Sequence, residues 1–414
     1  MKIFKNNFKI IFTAMVMTFF TTITTFAQTT PYNYKIELED GISFVHKTIY
    51  NFENTGYNQE TNYIELDFSN PNINLALIKP DDLSSSKDTL LNQLNNSKQF
   101  KGKNIIGGIN GEFFQLRTGQ PLFTTISNGE IYSITDSTDE SLRRPVFYID
   151  ENKNYDFDFL TINGVLSFSS GIFDNLYINS INKLDSYNDT NVSTYKINKE
   201  STYYPHEGLP SRYMLIELSN SDGSIYPGKK IYGKVIEVGE MNSPKKIEKN
   251  QLLITSYGDD NYYDISYGFL NSVVSLRFDI YSYNKKAIKN DIVTAFTGHE
   301  YLIKNGEKMD YNYYSSLAEP SLINSRRARS ALGVTRDNKL ILFTVDESNG
   351  SLGMTLDELA SHLESLGIVN AINLDGGGST SISFENNEHK LFLMNDPDKY
   401  QREITNAVAV IYNK

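Results

Sequence analysis

The chain of 414 residues contains no cysteine. That absence excludes disulfides, thiol nucleophiles and thiolate metal sites, and with them anchoring through an acylated cysteine. Histidine is scarce as well: His46, His206, His299, His362 and His389 show no paired spacing, so no histidine-built zinc site is expected. His362 falls in a helical pattern and is expected to face solvent. Acid clusters such as Asp259-Asp260 could take calcium, but they lack the spacing of a recognisable loop, and no cofactor is expected. Long apolar runs are missing with one exception, Ile10 to Phe26.

That exception follows Lys2, Lys5 and Lys9 and ends at Thr25-Phe26-Ala27, the layout of a signal peptide cleaved after Ala27. No other stretch approaches the roughly 18 apolar residues of a membrane helix. The chain is therefore expected to be exported, to the periplasm or beyond, as a soluble non-lipoprotein. Positive charge is also in short supply. Without the three leader lysines, 36 of the 39 bases stand against 50 acids, a net charge of −14. Nucleic acid and anionic lipid are poor partners for such a chain.

What is present concentrates at Asn370 to Ser383. An apolar run with Ala371, Ile372 and Leu374 ends on Asp375, and Gly376, Gly377, Gly378, Ser379, Thr380 and Ser381 follow. Three glycines in succession are entropically costly and bring bare backbone close to something. An acid, exposed amides and hydroxyls suit an anionic, oxygen-rich ligand. Upstream, Thr355-Leu356-Asp357-Glu358 spells a capping box, with Met354 and Leu359 placed as a hydrophobic staple. Leu356, Leu359, Ala360, Leu363 and Leu366 share a helical face, and Gly367 suits a left-handed cap. The helix feeds a strand from Val369 to Leu374, and the loop emerges at its carboxyl end, a common ligand position.

Elsewhere the pattern is mostly strand. Tyr63–Phe68 and Ile73–Ile78 alternate around the turn Asn70-Pro71-Asn72, Ala331–Thr335 and Leu340–Val345 form a hairpin, and Ile404–Tyr412 is buried on both faces. Asp88–Asn96 is a weaker helix. Residues 28–100 form a β-rich lead-in to a core over 101–414, whose middle, about 156–290, is rich in short strands. The expected fold class is mixed α+β, largely sheet with few helices, with one capped helix feeding a buried strand and the glycine loop.

A second strand, Ile105 to Asn110, also ends in glycine, amide and acid: Asn110-Gly111-Glu112-Phe113-Phe114. Asn110 can donate and accept, and Glu112 offers a carboxylate; both Phe rings are expected in the core. A cationic cluster, Ser325-Arg326-Arg327-Ala328-Arg329-Ser330, precedes the hairpin, and arginine's planar fork suits phosphate or carboxylate.

Taken together these blocks resemble the phosphodiester glycosidase family. Asn110-Gly111-Glu112-Phe113-Phe114 is similar to its Asn-Gly-x-Phe/Tyr-Phe block, and Ser180-Ile181-Asn182 with Tyr195 to its central segment. Arg329-Ser330-Ala331-Leu332-Gly333-Val334 is similar to its Arg-Thr/Ser-Ala-x-Gly block, Asn373-Leu374-Asp375-Gly376-Gly377-Gly378-Ser379 to its hallmark, and Arg402 to Asn406 to its closing block. The resemblance runs from about Gly41 to the C-terminus. Phe123-Thr124 and Gly298-His299-Glu300-Tyr301 depart from the usual glycine and glycine-proline patterns and place His299 among the residues lining a sugar pocket.

The resemblance implies hydrolysis of a sugar-1-phosphodiester, of the N-acetylglucosamine-1-phosphodiester type. Arg329 and the amides of Gly376, Gly377, Gly378 and Ser379 would hold phosphate, with Arg402 nearby. Asp375 or Glu112 would act as base or nucleophile, with Asp346 in reserve; Asn110 and Asn373 would bind sugar hydroxyls, and a tyrosine would stack on the ring. Two alternatives stay open: an exo-acting hydrolase of ordinary glycosidic bonds in an exported polysaccharide, and a non-catalytic glycan binder.

Overall fold

A computed structural model of the chain describes residues 33–413, apart from 136–142, 184–189, 206–207, 209, 220, 259–264, 285, 349 and 396–400. The expected leader, His206 and Asp259-Asp260 lie outside the described residues. Two antiparallel sheets form the centre. In the larger, eight strands run in the order Tyr34–Glu39, Ile42–Ile49, Gln59–Asp67, Lys339–Val345, Arg329–Thr335, Ile368–Asn373, Tyr301–Lys304 and Glu307–Lys308. In the smaller, five run Leu391–Leu393, Ile382–Glu385, Ile105–Asn110, Ala407–Tyr412 and Ile73–Ile78.

Side chains alternate across a strand, so each sheet buries two apolar faces. The inner faces meet: Ile64, Leu66, Leu332, Leu342 and Ile372 from one pack with Ile106, Ile109, Ile382, Val408 and Val410 from the other. The outer face of the eight-stranded sheet, including Ala331, Phe343 and Ala371, is covered by the helix Leu356–Ser365 through Leu356, Leu359, Ala360 and Leu363. The outer face of the five-stranded sheet is covered by the helix Leu90–Asn96 through Leu90 and Leu94, against Ile78, Ala407 and Ala409. The layers are helix, sheet, sheet, helix. Each fully buried leucine contributes about 1.5–3 kcal/mol.

The Leu356–Ser365 helix starts where its capping chemistry says. Thr355 Oγ1 accepts from Glu358 N, and the Glu358 carboxylate accepts from Thr355 N at 2.9 Å. Gly367 closes it with φ +80 and a bond to Glu364 O, and Ile368–Asn373 follows directly. His362 does not face open water: its ring lies half-buried, 5.4 Å from Phe343, and burial pulls its pKa down to about 4. The turn at Asn70-Pro71-Asn72 carries the chain from the larger sheet into the smaller. Among the described residues α-helix is confined to Leu90–Asn96, Tyr311–Ser315, Pro320–Asn324 and Leu356–Ser365, so the protein is largely β sheet.

Between the block at Asn110 and the block at His299 the chain makes a long excursion. Its strands join a fourteen-stranded sheet with its own core, including Ile162, Leu166, Ile216, Val235, Ile254 and Phe278. The excursion begins and ends on paired strands, with Thr125 opposite Phe296. No helix among the described residues is long and apolar enough to cross a membrane.

Candidate active site

The two glycine-bearing blocks, far apart in sequence, meet. Asp375 N donates to Gly111 O at 3.1 Å, and Leu374 N donates to Ser330 O at 2.9 Å. Asn110 locks the junction. Its Nδ2 donates to Asp375 O at 2.6 Å, while its Oδ1 accepts from Ser330 Oγ at 2.6 Å and Ser381 N at 3.1 Å. Fully buried and bonded at both ends of its amide, Asn110 anchors the loop and has nothing left for a sugar hydroxyl. Gly111 has no room for a side chain: a Cβ there would lie 1.9 Å from Asn406 Oδ1.

Asp375 stands at this junction, partly open to solvent. Burial pushes its pKa up to about 6, against the opposing pull of the Ser379 hydroxyl, the Gly376 N–H (3.0 Å to Oδ1), Arg402 and His299. The loop amides are less available than the glycine run implies. Gly376 N is given to Asp375, Gly377 N to Ala328 O at 2.8 Å, and Ser379 N to Gly376 O at 3.2 Å. A cradle made from all four amides is therefore not present. Polar atoms around the loop are nonetheless unmet: Asn373 Oδ1 and Thr380 Oγ1 are buried with no hydrogen-bond partner among the described residues, and Ser379 Oγ has none at bonding geometry.

Arg329 is likewise largely occupied. Its Nε donates to Met354 O at 3.0 Å and its Nη2 to Leu322 O and Ser325 O at 2.7 and 3.0 Å; burial draws its pKa down to about 10. It clamps three carbonyls under the site. Its neighbour Arg326 pairs with Glu358 of the capping box.

Glu112 was the other expected carboxylate, and the structure seals it. It is 1% exposed. Oε1 accepts from Thr125 Oγ1 and from Asn406 Nδ2 (2.5 Å), and Oε2 accepts from Thr297 N at 3.2 Å. Burial raises its pKa, opposed by Thr125, Lys79, Thr297 and Asn406. Lys79 beside it is buried too and pulled down, with Glu112 as its counter-charge; its Nζ donates to Thr405 O and Oγ1, both at 3.0 Å. Lys183, from the excursion, is buried as well, bonded to Pro121 O and Leu122 O. Asp346 is also buried, accepting from Asn395 Nδ2 at 2.9 Å.

Sequence reasoning passed over Glu300. It is 3% exposed, with Oε1 2.6 Å from His299 Nδ1 and Oε2 accepting from Asn373 Nδ2 at 2.8 Å. His299 N donates to Asn373 O, and Asn373 N to Glu300 O, both at 2.9 Å. The His299 ring sits against Phe113 (5.1 Å) and Phe123 (6.3 Å), so the aromatic wall is phenylalanine rather than tyrosine, and Phe113 belongs to it rather than to the core. Arg144, also unforeseen, lies 5.5 Å over Phe123 and within the field of Glu300. The one available signal was the departure at Gly298-His299-Glu300-Tyr301. Among the described residues no group of three or more His, Asp or Glu side chains is placed to hold a metal.

The junction thus gathers a part-exposed carboxylate of raised pKa and a histidine–carboxylate pair beside the glycine loop. In particular, residues 230–411 match the family model described as phosphodiester glycosidase, so the resemblance carried by the motif blocks is shared by this part of the chain as a whole. The match takes in His299, Glu300, Arg329, the Asn373–Ser379 loop and Arg402. The chain is 34% identical over 105 residues to N-acetylglucosamine-1-phosphodiester alpha-N-acetylglucosaminidase of Mus musculus, covering 22% of this chain and 19% of that one. The Homo sapiens counterpart is 33% identical over 101 residues, covering 22% and 20%. The chain thus spans about a fifth of the length of these relatives. A hypothetical protein from Synechocystis shares the fold, with a TM-score of 0.71 at 19% identity over 93% of this chain and 64% of that one.

Proposed function

We propose that the chain hydrolyses a sugar 1-phosphodiester, releasing the sugar and a phosphomonoester, with Asp375 as the carboxylate that attacks the anomeric carbon. The observation that carries this reading is the state of Asp375. Of the expected catalytic carboxylates it is the one partly open to solvent, and its pKa of about 6 leaves it ionised at neutral pH. Because Glu112 is sealed, no second expected acid stands ready to protonate an alkoxide. A phosphomonoester leaves as a stable anion and needs nearby positive charge more than a proton donor. Arg402, close enough to Asp375 to lower its pKa, supplies that charge.

The substrate is of the GlcNAc-1-phosphodiester type, by analogy with the enzymes named above. The N-terminal lysines and apolar run support export of the chain, with a single catalytic region from residue 28 onward. A panel of GlcNAc-1-phosphodiesters and matched simple glycosides, given to wild type and Asp375→Asn, tests the reading. Cleavage of the phosphodiesters alone, lost in the variant by ~10²-fold or more, is expected. Cleavage of the plain glycosides would assign an ordinary polysaccharide hydrolase, and turnover unchanged in the variant would remove Asp375 from the chemistry.

A further inference from the structure

We propose that His299 is a further catalytic residue of this site, its Nε2 taking the proton of the water that attacks the anomeric carbon, with Glu300 and Asn373 as the residues that position it. The geometry is that of an oriented base. Glu300 accepts from Asn373 on one oxygen and meets His299 Nδ1 at 2.6 Å with the other. A carboxylate accepting on both oxygens makes Nδ1 the donor and leaves Nε2 with its lone pair. Nε2 makes no hydrogen bond among the described residues and is not sealed from solvent, and the side chain keeps 17% of its surface exposed. The backbone bonds between His299, Glu300 and Asn373 hold the pair against the last residue of the strand Ile368–Asn373, two residues before Asp375. Phe113 and Phe123 fix the plane of the ring.

The chemistry rests on the phosphodiester glycosidase reading above and divides between two groups. In the first step Asp375 bonds to the anomeric carbon as the carbon–oxygen bond to phosphate breaks, and the electron pair leaves with the phosphomonoester. In the second, water bonds to the same carbon, the ester bond to Asp375 breaks and its electron pair returns to the carboxylate. The water's proton passes to His299 Nε2 and then to solvent. Only the second step needs His299.

Two measurements on the full mature chain test this. The first uses no substrate: long-range ¹H–¹⁵N correlation of the imidazole nitrogens, with His299 identified by the signal lost in His299→Asn. The expected result is a protonated Nδ1 and an acceptor Nε2, turning into a tautomer mixture in Glu300→Ala. An Nε2-protonated ring in the wild type overturns the proposal whatever the enzyme cleaves. The second measurement is rapid-quench kinetics on a GlcNAc-1-phosphodiester with His299→Ala, and His299→Gln should the alanine variant fold poorly. Turnover should fall ~10²- to 10⁴-fold while a burst of one equivalent of phosphomonoester survives, with added imidazole restoring turnover. A purely structural role would slow burst and turnover alike and give no rescue. A wild type inert towards every phosphodiester would sink the parent reading, and the tautomer result would still decide the histidine's orientation.

Discussion

Glu112 and Asp375 sit on neighbouring turns of the same junction, and burial pushes the pKa of both upward. Their surroundings differ in one respect. Glu112 has its oxygens filled by Thr125, Asn406 and Thr297 and its charge answered by Lys79; Asp375 has the Gly376 N–H on Oδ1, the Ser379 hydroxyl beside it and part of its surface open to solvent. The partners of Glu112 come from three places: the closing block, and the two ends of the long excursion. It acts as a rivet between core and excursion. A raised carboxylate pKa alone would nominate both acids for catalysis, and counting spent hydrogen-bonding capacity separates them.

The largest effects should fall on this contrast. Asp375→Asn is expected to remove ~10²-fold or more of activity and keep the fold, whereas Glu112→Gln should strip the counter-charge from Lys79 and cost about 3–5 kcal/mol of stability. Denaturant melts beside turnover assays read both, and a fully stable Glu112→Gln protein would break the rivet reading. Gly111→Ala drives a Cβ into Asn406 and should disturb both acids at once, seen as poor soluble yield and a lowered midpoint.

Next comes pH. Asp375 must be ionised to attack, so kcat should rise through an acid limb near pH 6. The same raised pKa has a stability consequence of known sign. A carboxyl whose folded pKa lies above its unfolded value favours folding most when protonated, and that contribution is lost as pH rises from below 4 through about 6. Asp375→Asn should therefore melt slightly above wild type at pH 8, by roughly 1–4 °C, with the gap closing towards pH 4. Thr355→Ala is the smallest: it removes a cap from a helix on the far face of the sheet and should cost about 1 kcal/mol with kcat unchanged.

Local patterns were legible in the chain. The capping box, the strand after Gly367, the hairpin at Asn338 and the buried closing strand are each written within a dozen residues, where periodicity and turn chemistry operate. The site was legible as residue types at strand ends. What a sequence does not show is which bonds are already made. Arg329 reads as a phosphate fork, but its donors go to carbonyls of Met354, Leu322 and Ser325. The glycine amides read as a cradle, yet most are turned inward. Glu112 reads as a free acid because its partners lie up to 294 positions away. Glu300 was hidden for the opposite reason: beside His299 it looked like a departure from pattern rather than half of a pair.

The ends of the excursion have a consequence for how the protein can change. Thr124 N donates to Thr297 Oγ1 and Thr297 Oγ1 donates to Thr124 O, so residues 173 positions apart are hydrogen-bonded neighbours. Closing a loop costs only logarithmically in its length, so whatever lies between two clasped ends can grow, shrink or be exchanged at little thermodynamic cost. Besides the clasp, the core registers the strand Val146–Asp150, whose Phe147 and Ile149 pack into it. A lineage of such chains is free to redesign the part of the middle sheet beyond that strand while the glycine loop stays where it is, with Thr124 and Thr297 as the natural suture for a graft.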